Sequence, residues 1–83
     1  ARQMYTNEIG VLPGFKVYKS VANFILIKYP IELKESLQQA FAESNYKVKF
    51  MSEPDINSHL RITLGRAEQN RFVCDTIKRI AQP

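Results

Sequence analysis

The segment that decides the fold of this protein reads LRITLG over residues 60–65. Leucine or isoleucine occupies its even positions, whereas Arg61 and Thr63 are polar. Because successive side chains of a strand point to opposite faces, this alternation predicts a strand with one apolar and one polar face. Gly65 ends the strand, and residues 66–81 follow a helical pattern. The apolar stripe of that helix is predicted to comprise Phe72, Val73, Ile77 and Ile80.

Outward from this segment, the chain divides into short elements separated by turn residues. Residues 22–29 are rich in β-formers and carry little polarity, which indicates a central, well-buried strand. Apolar residues at four-residue spacing predict a helix over 31–44, which Asn45 ends. The other predicted elements are a helix over 2–9, strands over 15–18, 46–50 and 60–64, and a polar loop over 52–58. This order predicts a small α+β domain over residues 1–83, a sheet of about four strands with helices mainly on one face.

Composition excludes several classes of protein. A chain of 83 residues with 45% hydrophobic residues is sufficient for one small globular domain. The net charge is +4, but the cations are dispersed among acids and form no run of three, as on an ordinary solvated surface. No apolar run is long enough to cross a bilayer, and no signal peptide is predicted. The lone Cys74 excludes an internal disulfide, which fits a reducing compartment, and we expect a cytoplasmic protein.

Most catalytic and metal-binding patterns are missing from the sequence. His59 is the only histidine, and we interpret both His59 and Cys74 as structural or surface residues. Arg61 stands out, because an arginine on a rigid strand is well suited to hold a carboxylate or phosphate through two hydrogen bonds. The alternatives are that Arg61 lies on an exposed strand face or forms an ion pair with an acid such as Asp55.

Two motifs carry a resemblance that covers essentially the whole chain. SVANFIL over residues 20–26 resembles the Ser-x-Ala-Asn-Phe-hydrophobic strand of histidinol-phosphate aminotransferases. LRITLG followed by AEQN over residues 67–70 resembles their Leu-Arg-Ile-Thr-hydrophobic-Gly-Thr-x-Glu-Glu-Asn segment. The resemblance implies a fold-type I enzyme that uses pyridoxal 5'-phosphate and transfers an amino group between histidinol phosphate and glutamate in histidine biosynthesis.

In that family a large domain carries the Schiff-base lysine, and a small domain closes over the substrate. This chain resembles the carboxy-terminal small domain, and none of its lysines lies in a segment like that of the cofactor lysine. We therefore expect the isolated chain to bind no cofactor and to be inactive. The expected partners are its own large domain, the second subunit of a homodimer and a small-molecule phosphate or carboxylate substrate, with no nucleic acid and no membrane.

The resemblance also assigns candidate site residues. Arg61 matches the strand arginine that binds the anionic group of the substrate. Lys49 matches a second basic position, usually an arginine, that helps to hold the phosphate. Lysine keeps the charge but loses the planar fork, so a phosphate-bearing substrate and a merely solvated Lys49 both stay open. Arg66 replaces a capping threonine, and Asn23 is expected to bond to local backbone.

Other functions share parts of this pattern. Threonine-phosphate decarboxylases and aromatic or broad amino-acid aminotransferases contain both motifs. A different class is a small RNA-binding α+β module, in which aromatic side chains would stack on bases. Its stacking candidates are Tyr18, Phe24, Tyr46 and Phe50. A fragment of this kind is also expected to self-associate through an apolar patch, for example by exchange of its amino-terminal helix.

Overall fold

The computed structural model describes residues 2–18, 23–42 and 48–82. Its elements follow the predicted order of helix, strand, strand, helix, strand, strand, helix. They are α1 (Arg2–Glu8), β1 (Lys16–Tyr18), β2 (Phe24–Lys28), α2 (Lys34–Ala42), β3 (Val48–Phe50), β4 (His59–Thr63) and α3 (Ala67–Ala81). Short 3-10 turns over Ile31–Leu33 and Pro54–Ile56 precede α2 and β4. The predicted helix end at Asn45 and the connection over 19–20 lie outside the described residues.

The four strands form one antiparallel sheet in the order β1-β2-β4-β3. The central pair, β2 and β4, is joined over five residues, with Ile25 opposite Ile62 and Ile27 opposite Leu60. The three-residue strands β1 and β3 form the edges. The predicted central position of β2 is therefore confirmed.

The hydrophobic core lies on one face of this sheet. Ile25, Ile27, Leu60 and Ile62 are almost completely buried there. The helices complete the same cluster with Tyr5, Leu37, Phe41, Val73, Cys74 and Ile77. Since the helices contribute to one shared cluster, the α+β arrangement with helices on one face of the sheet is confirmed.

The prediction that β2 is well buried holds for only one of its two faces. Ile25 and Ile27 are buried, but Phe24 and Lys28 are exposed and Leu26 is only half-buried. The helices pack on the other face of the sheet, so no described helix covers the apolar residues that alternate with the core residues. A nearly continuous apolar run indicates two-sided burial only where layers lie on both faces.

Phe72 also departs from the predicted stripe of α3, because it is 39% exposed. The residues of α3 that are buried are Asn70, Val73, Cys74, Thr76 and Ile77. The spacing of 70, 73, 74 and 77 is that of one helical face, and Phe72 lies about 100° around the helix from Val73. Helical spacing alone is compatible with a buried face that includes Phe72 and with one that does not. Packing of α3 against the sheet buries the face that does not include Phe72.

The carboxylate of Glu8 in α1 forms ion pairs with two cations of α3. Glu8 accepts hydrogen bonds from Arg71 at 2.7 Å and from Lys78 at 3.1 Å. The hydrogen bond from Arg71 is the main cause that lowers the pKa of Glu8 to about 2. The Cys74 thiol lies 3.6 Å from the same carboxylate, and burial is the main cause that raises its pKa to about 11. The thiol is thus a weak nucleophile, which agrees with a structural role for Cys74.

Side chains of the first turn cap α3 in place of the hydroxyl that Arg66 lacks. The Gln69 side-chain oxygen accepts the backbone N–H of Arg66 at 2.9 Å. The Asn70 side chain accepts the N–H of Gly65 and donates to its carbonyl, both at 3.1 Å. The backbone oxygen of Asn70 accepts the Tyr5 hydroxyl at 3.3 Å. Asn70 therefore holds the β4–α3 corner against α1.

Replacing Glu8 with glutamine is expected to weaken the acid dependence of stability. The folded pKa of about 2 lies below the ordinary value of 4.5. The charged carboxylate therefore stabilises the fold fully above pH 4.5, and this stabilisation is lost as the pH falls toward 2. Urea unfolding between pH 2 and 7 should show a smaller acid loss in Glu8→Gln than in the unmodified chain. Glu53→Gln, in an exposed loop, is the control; equal acid slopes in all three chains would contradict the assignment.

Replacing Asn70 with alanine is expected to cost about 1–2 kcal/mol of unfolding free energy, because two hydrogen bonds at the β4–α3 corner are lost. Gly65 is exposed, so water can bond to the groups left behind, which keeps the cost at the lower end. Urea denaturation measures the change. Gln38→Ala, on the exposed face of α2, should be close to neutral, and an equal loss in both variants would argue against a special role for Asn70.

Candidate functional site

The face of the sheet that points away from the helices carries the side chains that alternate with the core residues. Residues directly opposite one another in adjacent strands share a face. Leu26 is opposite both Tyr18 and Arg61, and Arg61 is in turn opposite Lys49. These four side chains form a row across all four strands, which puts Arg61 near the middle of the sheet.

Parallel rows flank this one, and together they define what we call the open face. It consists of Lys16, Tyr18, Phe24, Leu26, Lys28, Lys49, His59, Arg61 and Thr63. Four of these side chains are cationic, and the strands as the structure defines them include no aspartate or glutamate. The open face is therefore positively charged, although the charges are dispersed along the sequence.

The two predicted site residues, Arg61 and Lys49, are brought together at the centre of this face. They are direct partners in the β3–β4 register, which places their Cβ atoms about 4.5–5.5 Å apart. Within residues 2–18, 23–42 and 48–82, neither makes an ion pair or hydrogen bond, and the suggested ion pair of Arg61 with Asp55 is absent. Like charges directly opposite each other destabilise a sheet. An anion between them would relieve that repulsion.

Arg61 makes a cation–aromatic contact on the open face. Its guanidinium carbon lies 4.6 Å from the centre of the Phe24 ring. Phe24 is opposite Thr63, two residues along β4 from Arg61, so the contact is diagonal. A cation within about 6 Å of a ring centre is attracted by the electrons of the ring face. Arg61 is thus placed by an aromatic contact and not by a carboxylate.

His59 is buried beneath another aromatic side chain of the open face. It is 8% exposed, and the centre of its ring lies 5.7 Å from that of Tyr18. Lys16 Nζ lies 4.9 Å from the Tyr18 ring centre. The Nδ1 atom of His59 has no hydrogen-bond partner among the described residues. The packing of the ring agrees with the structural interpretation of His59.

The aromatic residues do not form the four-membered stacking surface that the RNA-binding alternative requires. Tyr18 and Phe24 lie on the open face, but Phe50 is opposite Leu60 on the core face. Its ring contacts Tyr29 edge-on with 6.0 Å between centres. Phe50 therefore does not share a surface with Tyr18 and Phe24, which counts against this alternative, and Tyr46 lies outside the described residues.

The remaining candidates do not join a site. The Asn23 side chain is exposed, and the backbone carbonyl of Asn23 accepts the N–H of Leu64 at 2.7 Å. The predicted side-chain bond of Asn23 to local backbone stays a prediction. No group of three or more metal-ligating side chains is present in the described part of the chain. Within the same ranges no helix has the length and apolarity to cross a membrane.

Sequence reasoning missed three side chains of the open face as site neighbours: Lys16, Lys28 and Phe24, whose ring contacts Arg61. Each lies more than 30 residues from Arg61 along the chain. The sequence did indicate which face of the sheet these residues occupy, since all three lie at strand positions that alternate with core residues. Their proximity to Arg61 depends on β2 lying beside β4, which no local pattern specifies.

Comparison with known proteins supports the resemblance that the two motifs indicated. No protein-family profile matches the chain. It is 40% identical over 65 residues, 78% of its length, to the histidinol-phosphate aminotransferase of Acinetobacter baylyi, of which it spans 18%. It is 36% identical over 94% of its length to the enzyme of Acinetobacter baumannii and 29% identical over 96% to that of Roseiflexus castenholzii, spanning 21% and 22% of them. The chain thus spans about a fifth of the length of these relatives, and its similarity fits a carboxy-terminal fragment of a histidinol-phosphate aminotransferase.

Proposed function

We propose that this chain is the small domain of an aminotransferase that uses pyridoxal 5'-phosphate, and that its open face binds the anionic group of the substrate. The observation that carries the proposal is the pairing of Lys49 directly opposite Arg61 with no counterion from the described residues. Two adjacent, uncompensated cations on a rigid sheet are a site for an anion with two charges or two oxygen acceptors.

The two residues have different roles in this proposal. Arg61 presents a planar set of N–H donors that can bond to two oxygens of a carboxylate or phosphate, which fixes the orientation of the group. Lys49 adds a mobile point charge at the edge strand β3. A phosphate monoester carries about −1.5 to −2 charge near pH 7, which the pair neutralises more completely than either residue alone. Histidinol phosphate is the substrate that this arrangement favours.

Two of the clefts that the described residues form have no lysine in their lining. One cleft of about 370 Å³ is lined by residues that include Arg2, Thr6 and Tyr18, and another of about 360 Å³ by Met4, Gly65, Ala67 and Asn70. Neither contains a lysine that could bind the cofactor aldehyde. We therefore place the cofactor on the remaining four-fifths of the enzyme, and the present residues bind and orient the substrate.

The rest of the proposal follows the resemblance. The whole enzyme would be a cytoplasmic homodimer that acts in histidine biosynthesis, and the small domain would close over the substrate with its open face toward the cofactor. Threonine-phosphate decarboxylases and aromatic or broad amino-acid aminotransferases remain the alternatives within this class, because the paired cations could also hold their phosphate or carboxylate groups. Substrate preference distinguishes these enzymes.

In the full-length enzyme that contains this chain, Arg61→Gln is expected to lower kcat/KM for histidinol phosphate by about 10²-fold, through the loss of charge-assisted hydrogen bonds. Lys49→Gln should lower it by about tenfold, and Lys49→Arg should retain activity. Steady-state kinetics with histidinol phosphate and with an aromatic amino acid measure the effects. Arg79→Gln, on the exposed part of α3, is the charge-matched control.

A Lys49→Gln effect restricted to the phosphate substrate would support phosphate binding. An equal effect on both substrates would favour the aromatic aminotransferase alternative. If Arg61→Gln were no worse than Arg79→Gln with every substrate, the open face would not be the anion site.

The isolated 83-residue chain is expected to be inactive, because none of its lysines lies in a segment like that of the family's cofactor lysine. Pyridoxal 5'-phosphate and glutamate should be added to the purified chain, with absorbance scans for a Schiff base and an assay for 2-oxoglutarate. The expected result is no more absorbance than lysine at equal amine concentration produces and no keto acid. Turnover by the isolated chain would contradict the proposal that the cofactor lies elsewhere.

A further inference from the structure

Phe24 is a large apolar side chain in an unusual place. It is the first residue of β2 and lies on the open face, where it is 37% exposed and no described helix covers it. Phe24 is not part of the hydrophobic core cluster, so its ring does not stabilise the fold through core packing. The recorded contact of its ring is with the Arg61 guanidinium, at 4.6 Å. The contact therefore concerns the residue to which we assign substrate binding.

Two electrostatic forces act on the guanidinium of Arg61, one repulsive and one attractive. Lys49 is directly opposite on β3 and repels it, whereas the ring of Phe24 lies on the β2 side and attracts it. Both act across the sheet, so together they bias the guanidinium away from Lys49 and toward Phe24. This leaves space between the two cations, where a bound anion would contact both.

An aromatic ring can hold the Arg61 guanidinium in place without occupying its N–H donors, whereas a carboxylate cannot. A carboxylate would accept the N–H donors of the guanidinium and compete with the substrate for them. A ring attracts the cation through its electron-rich face and has no lone pairs for a strong hydrogen bond, so the donors stay available. The absence of acids from the four strands means that no sheet residue offers the competing interaction.

We propose that Phe24 is a positioning residue for Arg61, which orders the guanidinium on the open face before the anion binds. This inference rests on the proposed function of Arg61 as the anion ligand. It adds that the aromatic ring at position 24 is part of the site, although it need not contact the substrate. Removal of the ring leaves the charge unchanged and increases the freedom that Arg61 loses on binding, which weakens the complex.

The test uses the 83-residue chain labelled with ¹⁵N-arginine, with inorganic phosphate and acetate as probes. The Phe24 ring should shift the Arg61 side-chain proton signals upfield, and phosphate should perturb the Arg61 Nε–Hε signal in a saturable way. Phe24→Leu should abolish the upfield shift and raise the phosphate Kd about three- to fivefold. Phe24→Tyr keeps a ring and should restore both values.

Phe72→Leu is the matched control, since Phe72 is 39% exposed and lies on α3 away from the open face. It should change neither the Arg61 signals nor the phosphate Kd. Urea unfolding of each variant shows whether it is folded. If Phe24→Leu does not fold, the upfield shift in the unmodified chain and its retention in Phe24→Tyr still decide whether the ring lies over Arg61.

The outcomes separate this inference from the proposed function. If Arg61→Gln abolishes phosphate binding but Phe24→Leu binds phosphate as well as the unmodified chain does, the positioning role is wrong and the anion site stands. If phosphate perturbs no Arg61 signal in the unmodified chain, the anion site itself is contradicted. An absent upfield shift in the unmodified chain overturns the positioning role whatever the phosphate result.

Discussion

The pairing of β2 with β4 is the constraint on which the rest of this structure depends. In its register, Ile25 faces Ile62 and Ile27 faces Leu60, so four side chains reach the helix layer together. Each buried side chain of this size contributes roughly 1.5–3 kcal/mol, so the four together are comparable to the whole net stability of a small domain, about 5–15 kcal/mol. A slip of β4 by one residue would turn Leu60 and Ile62 to the open face and Arg61 into the core. The same pairing therefore determines the core and the placement of the site.

Coverage of only one face leaves the domain with a positively charged surface. The described strands contain no acidic residue that could pair with the cations of the open face. Two of these cations, Lys49 and Arg61, are directly opposite each other. Such an arrangement costs electrostatic free energy unless an anion or another part of a protein compensates it. The chain spans only 18–22% of the length of the relatives, so most of each relative lies outside the region that the chain matches.

The helices hold this sheet through a few specific contacts in addition to apolar packing. Tyr5 is completely buried, and its hydroxyl bonds to the backbone of Asn70, whose side chain holds the corner that follows β4. Glu8 binds two cations of α3 from a partly exposed position. Exposed ion pairs contribute little stability individually. Burial of apolar side chains of α1 therefore supplies most of the free energy that holds α1 on the domain, and the ion pairs of Glu8 fix the position of α1 along α3.

The sequence by itself determined the order of the elements, the alternation that sends Arg61 away from the apolar face of β4, and the two motifs that resemble histidinol-phosphate aminotransferases. These features are local, because strand alternation, helical spacing and turn residues act over a few positions. Only the tertiary structure decided that β2 lies beside β4, that Lys49 is directly opposite Arg61 and that Phe24 contacts the guanidinium. It also decided that Phe72 and one face of β2 are partly exposed. Those features depend on which strands pair and where the helices pack, and residues more than ten positions apart along the chain carry no local signal of either.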